Sequence, residues 1–274
     1  MSDRSSRAGA LLGAERHRRL YQRLVDRGSI RVTEEARLFE VSDETIRRDI
    51  KALVGAGLAE AVFGGAVLPA EAGPIRLPPV DERQTEDEDA KNAIGAAAAA
   101  RVEAGQIVIL DAGTTTLALA RHLRGRENLT IVTNSLVIAQ TTGRFPTCTT
   151  YVIGGKLVTG SMSLVGPQAQ RDLARIAADW AFLGAAAMSA RSGFLSADPY
   201  EAEVKQAMMR AAKTVAVVAD ASKFEKRGLV SFAKPESAHV LFTSAGAPED
   251  GLAALRAAGV EIAVCPPSPE ERHV

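Results

Sequence analysis

A chain of 274 residues with 33 Lys+Arg, 33 Asp+Glu and no formal net charge is longer than one ordinary domain of roughly 100–200 residues, and it is not a globally basic nucleic-acid coat. Hydrophobic residues at 46% suffice for a core of Ala, Val, Leu and Ile, whereas Cys148 and Cys265 lie too far apart to suggest a disulfide framework, and His17, His122, His239 and His273 have no metal-ligand spacing. No segment has the roughly 18 uninterrupted apolar residues of a membrane span, so a soluble, cytoplasmic protein without a membrane partner is expected.

Charge is local rather than global. Eight arginines fall between Arg4 and Arg31, and an acidic run, Glu86-Asp87-Glu88-Asp89, comes later. Residues 15–27 carry Leu20, Leu24 and Val25 among arginines, which predicts an amphipathic helix ending at Gly28. A second short helix is expected from Thr33, as its cap, to about Phe39. Ser42 is a good cap for a third, running to about Ala56 before Gly57. Residues 58–62 and 66–68, around Phe63-Gly64-Gly65, read as two small strands with a glycine turn. Residues 69–90, with Pro69, Pro74, Pro78, Pro79 and the acidic run, look like a linker. Beyond it, short apolar strands alternate with helices, which predicts a mainly parallel sheet covered on both faces. The expected organisation is a three-helix unit with a small hairpin over 12–68, a linker over 69–90, an α/β domain over 91–266 and a tail over 267–274.

On a helix covering 42–56, Ile46, Ile50 and Leu53 share one face, Glu44, Arg48 and Lys51 lie nearly opposite, and Arg47 takes the flank. Such a helix, following another across a tight turn, suits the recognition element of a helix-turn-helix, since arginine can grip guanine or phosphate through its planar fork. The competing reading is an ordinary charged helix surface with Glu44 or Asp49 as partners. Thr33, Ser42, Thr45, Arg47, Arg48 and Lys51 are the candidate DNA contacts.

These residues carry a resemblance. "ERHRRL", "VSDETIRRDIKAL" and "GGAV", within 15–67, resemble the N-terminal domain of the DeoR family of bacterial repressors. The resemblance implies a winged helix-turn-helix in which Ser42, Thr45, Arg47 and Arg48 meet operator DNA. One departure stands in the wing: the family usually has a basic residue and a histidine where this chain has Ala61 and Phe63, beside Glu60. Lost positive charge weakens phosphate contacts, so recognition is expected to rest more on the third helix.

In the larger half, "IVILDAGTTTLALARHL" (107–123) places Asp111, Gly113, Thr114, Thr115 and Thr116 between a strand and a helix. Backbone N–H groups at a helix start attract anions and hydroxyls add donors, so this is a candidate phosphate cradle; threonines that merely cap a helix are the alternative. Asn134-Ser135, Gly154-Gly155, Glu201, Glu203 with Lys205, and Asp220 with Lys223 follow other strands and could converge there. From about Lys91 to Val264, "DAGTTT", "TNS", "IGGK", "VGPQA", "DWAFLGA", "EAEVKQAM" and "ADASKF" resemble the effector domain of the same family, similar in fold to ribose-5-phosphate isomerase. The resemblance implies a sensor of a phosphorylated sugar or polyol, without a resident cofactor, with residues 111–116 and 134–135 facing the ligand and Lys205 and Lys223 as anion partners. Ala187 and Ser189 stand where the family often has a glycine and an acid.

The expected protein is therefore a DNA-binding repressor of a carbohydrate or polyol operon, not an enzyme, acting as a dimer or tetramer. A sugar-phosphate isomerase built on Asp220, Glu203, Lys205 and Lys223 is the alternative, as is a module with no ligand, which would leave the polar strand ends unexplained.

Overall fold

The computed structural model describes residues 16–17, 19–24, 27–55, 58–67 and 79–266, and divides into two compact units, Met1–Arg76 and Leu77–Val274. Val25, Ala56, Gly57, Leu68, residues 69–78 of the expected linker and the 267–274 tail lie outside the described residues.

In the first unit, β1 (Ser29–Arg31) leads directly into α1 (Val32–Leu38), followed by α2 (Asp43–Gly55) and the hairpin β2 (Glu60–Val62) and β3 (Gly65–Val67). The three strands form an antiparallel sheet in the order β1-β3-β2. Its core joins Leu20 and Leu24 of the preceding helical stretch to Ile30, Val32, Ile46, Ile50, Leu53 and Ala66. The expected α2 face is thus the buried one. Thr33 is not the cap of α1. Arg31 holds that place with extended backbone and no side-chain bond, and the Val32 N–H donates to the Gly64 carbonyl at 2.9 Å. Ser42 does serve α2, accepting from the Thr45 N–H at 3.3 Å.

The second unit begins earlier than the sequence suggests. α3 (Val80–Thr85) starts just after Pro79, and α4 (Glu88–Ala99) follows a corner at Asp87, whose φ is 48°. The prolines all precede these helices, while the acidic run supplies Glu88 and Asp89 to the first turn of α4, where negative charge is favourable. Lys91 then buries its ammonium against the carbonyls of Arg83 and Glu86, and the Val80 N–H donates to Gly160 O at 3.0 Å. Residues 79–90 therefore belong to the α/β unit rather than to a featureless linker.

Seven parallel strands form its main sheet. They are β4 (Ile107–Leu110), β5 (Leu129–Thr133), β6 (Cys148–Val152), β9 (Ala178–Gly184), β12 (Ala212–Val218), β14 (Val240–Ser244) and β15 (Glu261–Cys265), in the order β15-β14-β12-β9-β4-β5-β6. A hairpin of β7 (Lys156–Val158) and β8 (Ser163–Val165), and an antiparallel trio of β10 (Ala187–Ser189), β11 (Gly193–Ser196) and β13 (Val230–Ala233), are added at strand ends. Covering helices include α5 (Thr114–His122), α6 (Leu136–Thr142), α7 (Pro167–Leu173), α8 (Pro199–Arg210) and α9 (Glu249–Ala257). Two apolar clusters lie in this unit, one holding Ile94, Leu117 and Phe182 and the other Leu183, Val204 and Phe194, as the two-faced burial of a parallel sheet requires.

The alanine-rich α4 packs closely on α5 at Gly95, where a Cβ would fall 2.7 Å from the Leu119 amide nitrogen. Backbone cannot swing aside as a side chain can. Gly95→Ala is therefore expected to destabilise the protein by about 1–3 kcal/mol through overpacking, although alanine is the better helix former by roughly 1 kcal/mol. Thermal denaturation of the full chain checks this; a Tm at or above that of the wild type would show that the two helices part without cost.

Candidate DNA-reading face and effector site

On α2 the two arginines and the acids around them are sorted by the helix period. Ile46, Asp49, Ile50 and Leu53 are buried, and Arg47, Arg48 and Lys51 are exposed. Asp49 is not a partner for the arginines: its carboxylate faces inward, accepting from Arg16 Nη2 at 3.1 Å and lying 2.6 Å from His17 Nε2. Arg16 Nε also contacts it, and this hydrogen bond holds the Arg16 guanidinium above its ordinary pKa. The basic residues before the helix thus neutralise the one acid on its inner face. Among the described residues Arg47, Arg48 and Lys51 form no ion pair, so their charge is available to solvent or to a polyanion. Ser42 and Thr45 hydroxyls lie 2.9 Å apart at the helix start, and Thr33 is exposed at the start of α1. A groove between α2 and the hairpin is lined by Arg47, Lys51, Val54, Ala61 and Val62.

In the α/β unit, the carboxyl ends of β4, β5 and β9 meet at Asp111. Its buried carboxylate pairs with the buried ammonium of Lys205 on α8, and Oδ2 accepts from the Gly184 N–H at 3.1 Å. Lys205 Nζ also donates to Gly184 O at 2.9 Å and sits 5.3 Å from the Phe232 ring centroid. Burial pushes the Asp111 carboxyl up, against the Lys205 ammonium and the Gly184 amide, which hold it down. Lys205 is therefore already matched with a carboxylate.

The threonines divide in the same way. The Thr116 hydroxyl is buried and donates back to Gly113 O at 2.9 Å, and Thr115 is buried, whereas Thr114 is half-buried. Gly113, the N-cap of α5, is extended and no side chain caps the helix, so backbone N–H groups rather than three hydroxyls form the donor array. Asn134 is a brace: Oδ1 accepts from the Ala112 N–H at 3.1 Å and Nδ2 donates to Leu164 O at 3.2 Å. Ser135 caps α6, its hydroxyl oxygen accepting from the Ile138 N–H at 3.3 Å. Gly155, with φ 149°, passes so near β8 that a Cβ would lie 2.4 Å from Val165 O, while Gly154 has open space around its Cα. Asp220 and Lys223 form a separate pair at 3.3 Å, following β12, and no hydrogen bond or ion pair joins them to Asp111 or Lys205 among the described residues. Burial acts to raise the Asp220 carboxyl, but the Ser222 hydroxyl and Lys223 outweigh it and leave it below the usual carboxylate range.

Two residues, Arg83 and Lys91, escape the sequence reading, which does name Glu201. Glu201 accepts from the Ser161 and Ser163 hydroxyls, the latter at 2.9 Å, in the first turn of α8. Arg83 of α3 is half-buried, and burial lowers its guanidinium while the charges of Glu201 and Glu86 raise it. Lys91, lowered by burial, feels Asp220 and Lys223. Arg83 sits in the stretch that reads as linker and Lys91 just past it, and nothing local in the sequence marks either. The arrangement offers uncapped helix amides, paired charges and hydroxyls at a sheet edge, which suits binding of a polar anion. Among the described residues it shows no cluster suited to a metal ion.

A helix-turn-helix unit with a bare basic face, joined to an α/β unit with polar groups at its strand ends, defines a DNA-binding transcription regulator carrying a small-molecule sensor. The profile of the DeoR-like helix-turn-helix domain matches residues 16–72 and that of the DeoR C terminal sensor domain residues 86–245, and the chain belongs to the DeoR family. It is 32% identical to the HTH-type transcriptional regulator GlpR of Haloferax volcanii, over 92% of this chain and 98% of that one. It is 30% identical to the HTH-type transcriptional repressor CsqR of Escherichia coli K12, over 92% and 95%. These are regulators, not enzymes, and they set the isomerase alternative aside. Ribose 5-phosphate isomerase A of Methanocaldococcus jannaschii overlaps 50% of this chain and 55% of its own, with 17% identity and a TM-score of 0.37, a likeness too partial to transfer chemistry. No described helix is long and apolar enough to cross a membrane.

Proposed function

We propose that the protein is a cytoplasmic repressor of a carbohydrate or polyol catabolic operon, which holds its operator through α2 and lets go when a phosphorylated sugar or polyol binds at Asp111–Thr116. The observation that carries the reading is the first turn of α5. Its N–H groups have no side-chain cap, Thr114 is half-buried beside them, and the buried Asp111–Lys205 pair stands at the same strand end. A phosphate on those amides would place a sugar's hydroxyls near groups that both donate and accept, among them Ser161 and Glu201. Lys223 and Gly154 lie at neighbouring strand ends as further contacts. Release follows by linkage: an effector that prefers the conformation with weaker DNA affinity shifts the population by its difference in affinity for the two states. Homo-oligomers, dimers or tetramers, are the natural working form because one recognition helix reads too few bases and paired half-sites multiply affinity.

The test is a thermal-shift series on the full chain with sugar phosphates, their parent sugars and inorganic phosphate. A ligand at 100 times its Kd stabilises the folded state by about 2.7 kcal/mol. Phosphorylated members should raise Tm where parent sugars do not; equal shifts by both would remove the phosphate from the reading. Thr114→Glu should give a protein that keeps DNA affinity and ignores effector, because a carboxylate placed at the amides repels phosphate. Thr114 is the residue to change because Thr115 is buried and a charge there threatens the fold. Release of DNA by effector at unaltered concentration in a gel-shift titration of this variant would locate the cradle elsewhere.

A further inference from the structure

The wing of the first unit ends in a side chain that touches nothing. Phe63 occupies the β2–β3 turn and is fully exposed, at 108% of the reference value. Its neighbours give it no cover, since Glu60, Ala61 and Val62 are all exposed as well. The turn is nevertheless firmly set. Gly64 takes φ 79° and its carbonyl accepts from the Val32 N–H at 2.9 Å, while Gly65 lies so near Ile30 that a Cβ would fall 2.0 Å from that carbonyl oxygen. A bare phenyl ring is thus held outward by a hairpin that cannot fold it back.

Charge decides what this ring can meet. From Glu60 to Val67 the wing holds no Lys or Arg, and its one charge is negative, so it cannot grip phosphate. The same hairpin closes the groove whose other wall carries Arg47 and Lys51, so the apolar tip is continuous with the basic face of α2. An aromatic side chain carried to the duplex beside a basic helix can meet thymine methyls in the major groove or the faces of stacked bases; a tip projecting beyond the groove, with no cation of its own to hold phosphate, favours the base step, reached from the minor groove. We infer that Phe63 is a wedge that inserts at a base step of the operator, partly unstacks it and bends the duplex. The inference rests on the DNA-binding reading given above. Specificity would then come in part from the stiffness of that step, with flexible pyrimidine–purine steps favoured at the position under the wing.

The experiment uses the full-length protein and a duplex that the wild type itself retrieves from a random-sequence pool, with 2-aminopurine placed at successive steps and a donor–acceptor pair at the two ends. Wild type should raise 2-aminopurine fluorescence at one step per half-site and shorten the end-to-end distance. Phe63→Ala should lose both signals and weaken binding about tenfold or more while keeping the salt slope, since no phosphate contact is removed. Phe63→Leu, still an apolar wedge, should retain part of each. Absence of any fluorescence rise with wild type bound overturns the inference, as does a rise that survives Phe63→Ala. A change of sedimentation in Phe63→Ala with unchanged DNA signals also overturns it and assigns the ring to contact with a second copy. Failure of the DNA-binding reading itself looks different, because no duplex would then be retrieved.

Discussion

Alanine at both Arg47 and Arg48 should abolish operator binding while leaving the unfolding transition where it was. Both side chains are exposed, neither has an acidic partner among the described residues, and the helix is held by Ile46, Asp49, Ile50 and Leu53 on its other side. A bidentate contact with a base contributes about 1–3 kcal/mol, so two such contacts together correspond to roughly two to four powers of ten in affinity. The single variants separate the roles. A residue reading a base relaxes sequence preference at one position, whereas one gripping phosphate lowers affinity for all sequences and reduces the salt slope by about one. Lys51→Ala is expected in the second class. Fluorescence anisotropy against salt, on matched and altered duplexes, measures both effects; a double variant that binds like the wild type would return the arginines to the status of ordinary surface charge.

The second large effect is expected at Lys205→Met. Side chains of Lys205 and Asp111 are 6% and 3% exposed, so removing the ammonium strands a carboxylate away from water with the Gly184 amide as its remaining donor. Breaking a buried pair from one side costs about 3–5 kcal/mol, which for a chain of this size lowers Tm by on the order of 10 °C. The sign of the pH dependence follows. Without Lys205 the folded-state carboxyl titrates higher than the unfolded one, so the variant's deficit is small below the usual carboxylate range, where both states are protonated, and grows as pH rises through it. Asp111→Asn in the Lys205→Met background should recover part of the loss, since no bare charge then remains. Melting the four proteins of this cycle across pH gives the coupling directly; additive losses, flat with pH, would mean that the two groups are independent.

The buried face of α2, the parallel strands and the polar strand ends were legible in the sequence because each has a local signature: helical spacing of Ile46, Ile50 and Leu53, apolar runs such as Ile107–Leu110, and a glycine-threonine turn after one of them. What was illegible depends on partners far along the chain. Pro79 followed by alternating acids reads as linker, and only the fold reveals Lys91 reaching back to the Arg83 and Glu86 carbonyls. The engagement of Lys205 needs β4 and α8 side by side, 94 residues apart in sequence. Thr33 reads as a cap because the strand that precedes it, Ser29–Arg31, is too short to announce itself, and its pairing with β3 carries the chain into the helix one residue earlier, at Val32. Thr116 and Ser135 have the residue types of ligand contacts, yet the Thr116 hydroxyl donates to the Gly113 carbonyl and the Ser135 oxygen accepts from the Ile138 N–H, local bonds that composition does not reveal.

The inward clamp on Asp49 has a consequence for divergence. Because Arg16 and His17 hold the recognition helix from behind, its outer positions carry no share of the folding free energy that a substitution there would forfeit. A duplicated copy of such a gene could exchange residues 47, 48 and 51 one at a time, drift from one operator to another, and remain folded at every step, whereas a change at position 49 would be lost before it could be tried. New regulatory wiring is in this sense cheap on one side of a single helix and closed on the other.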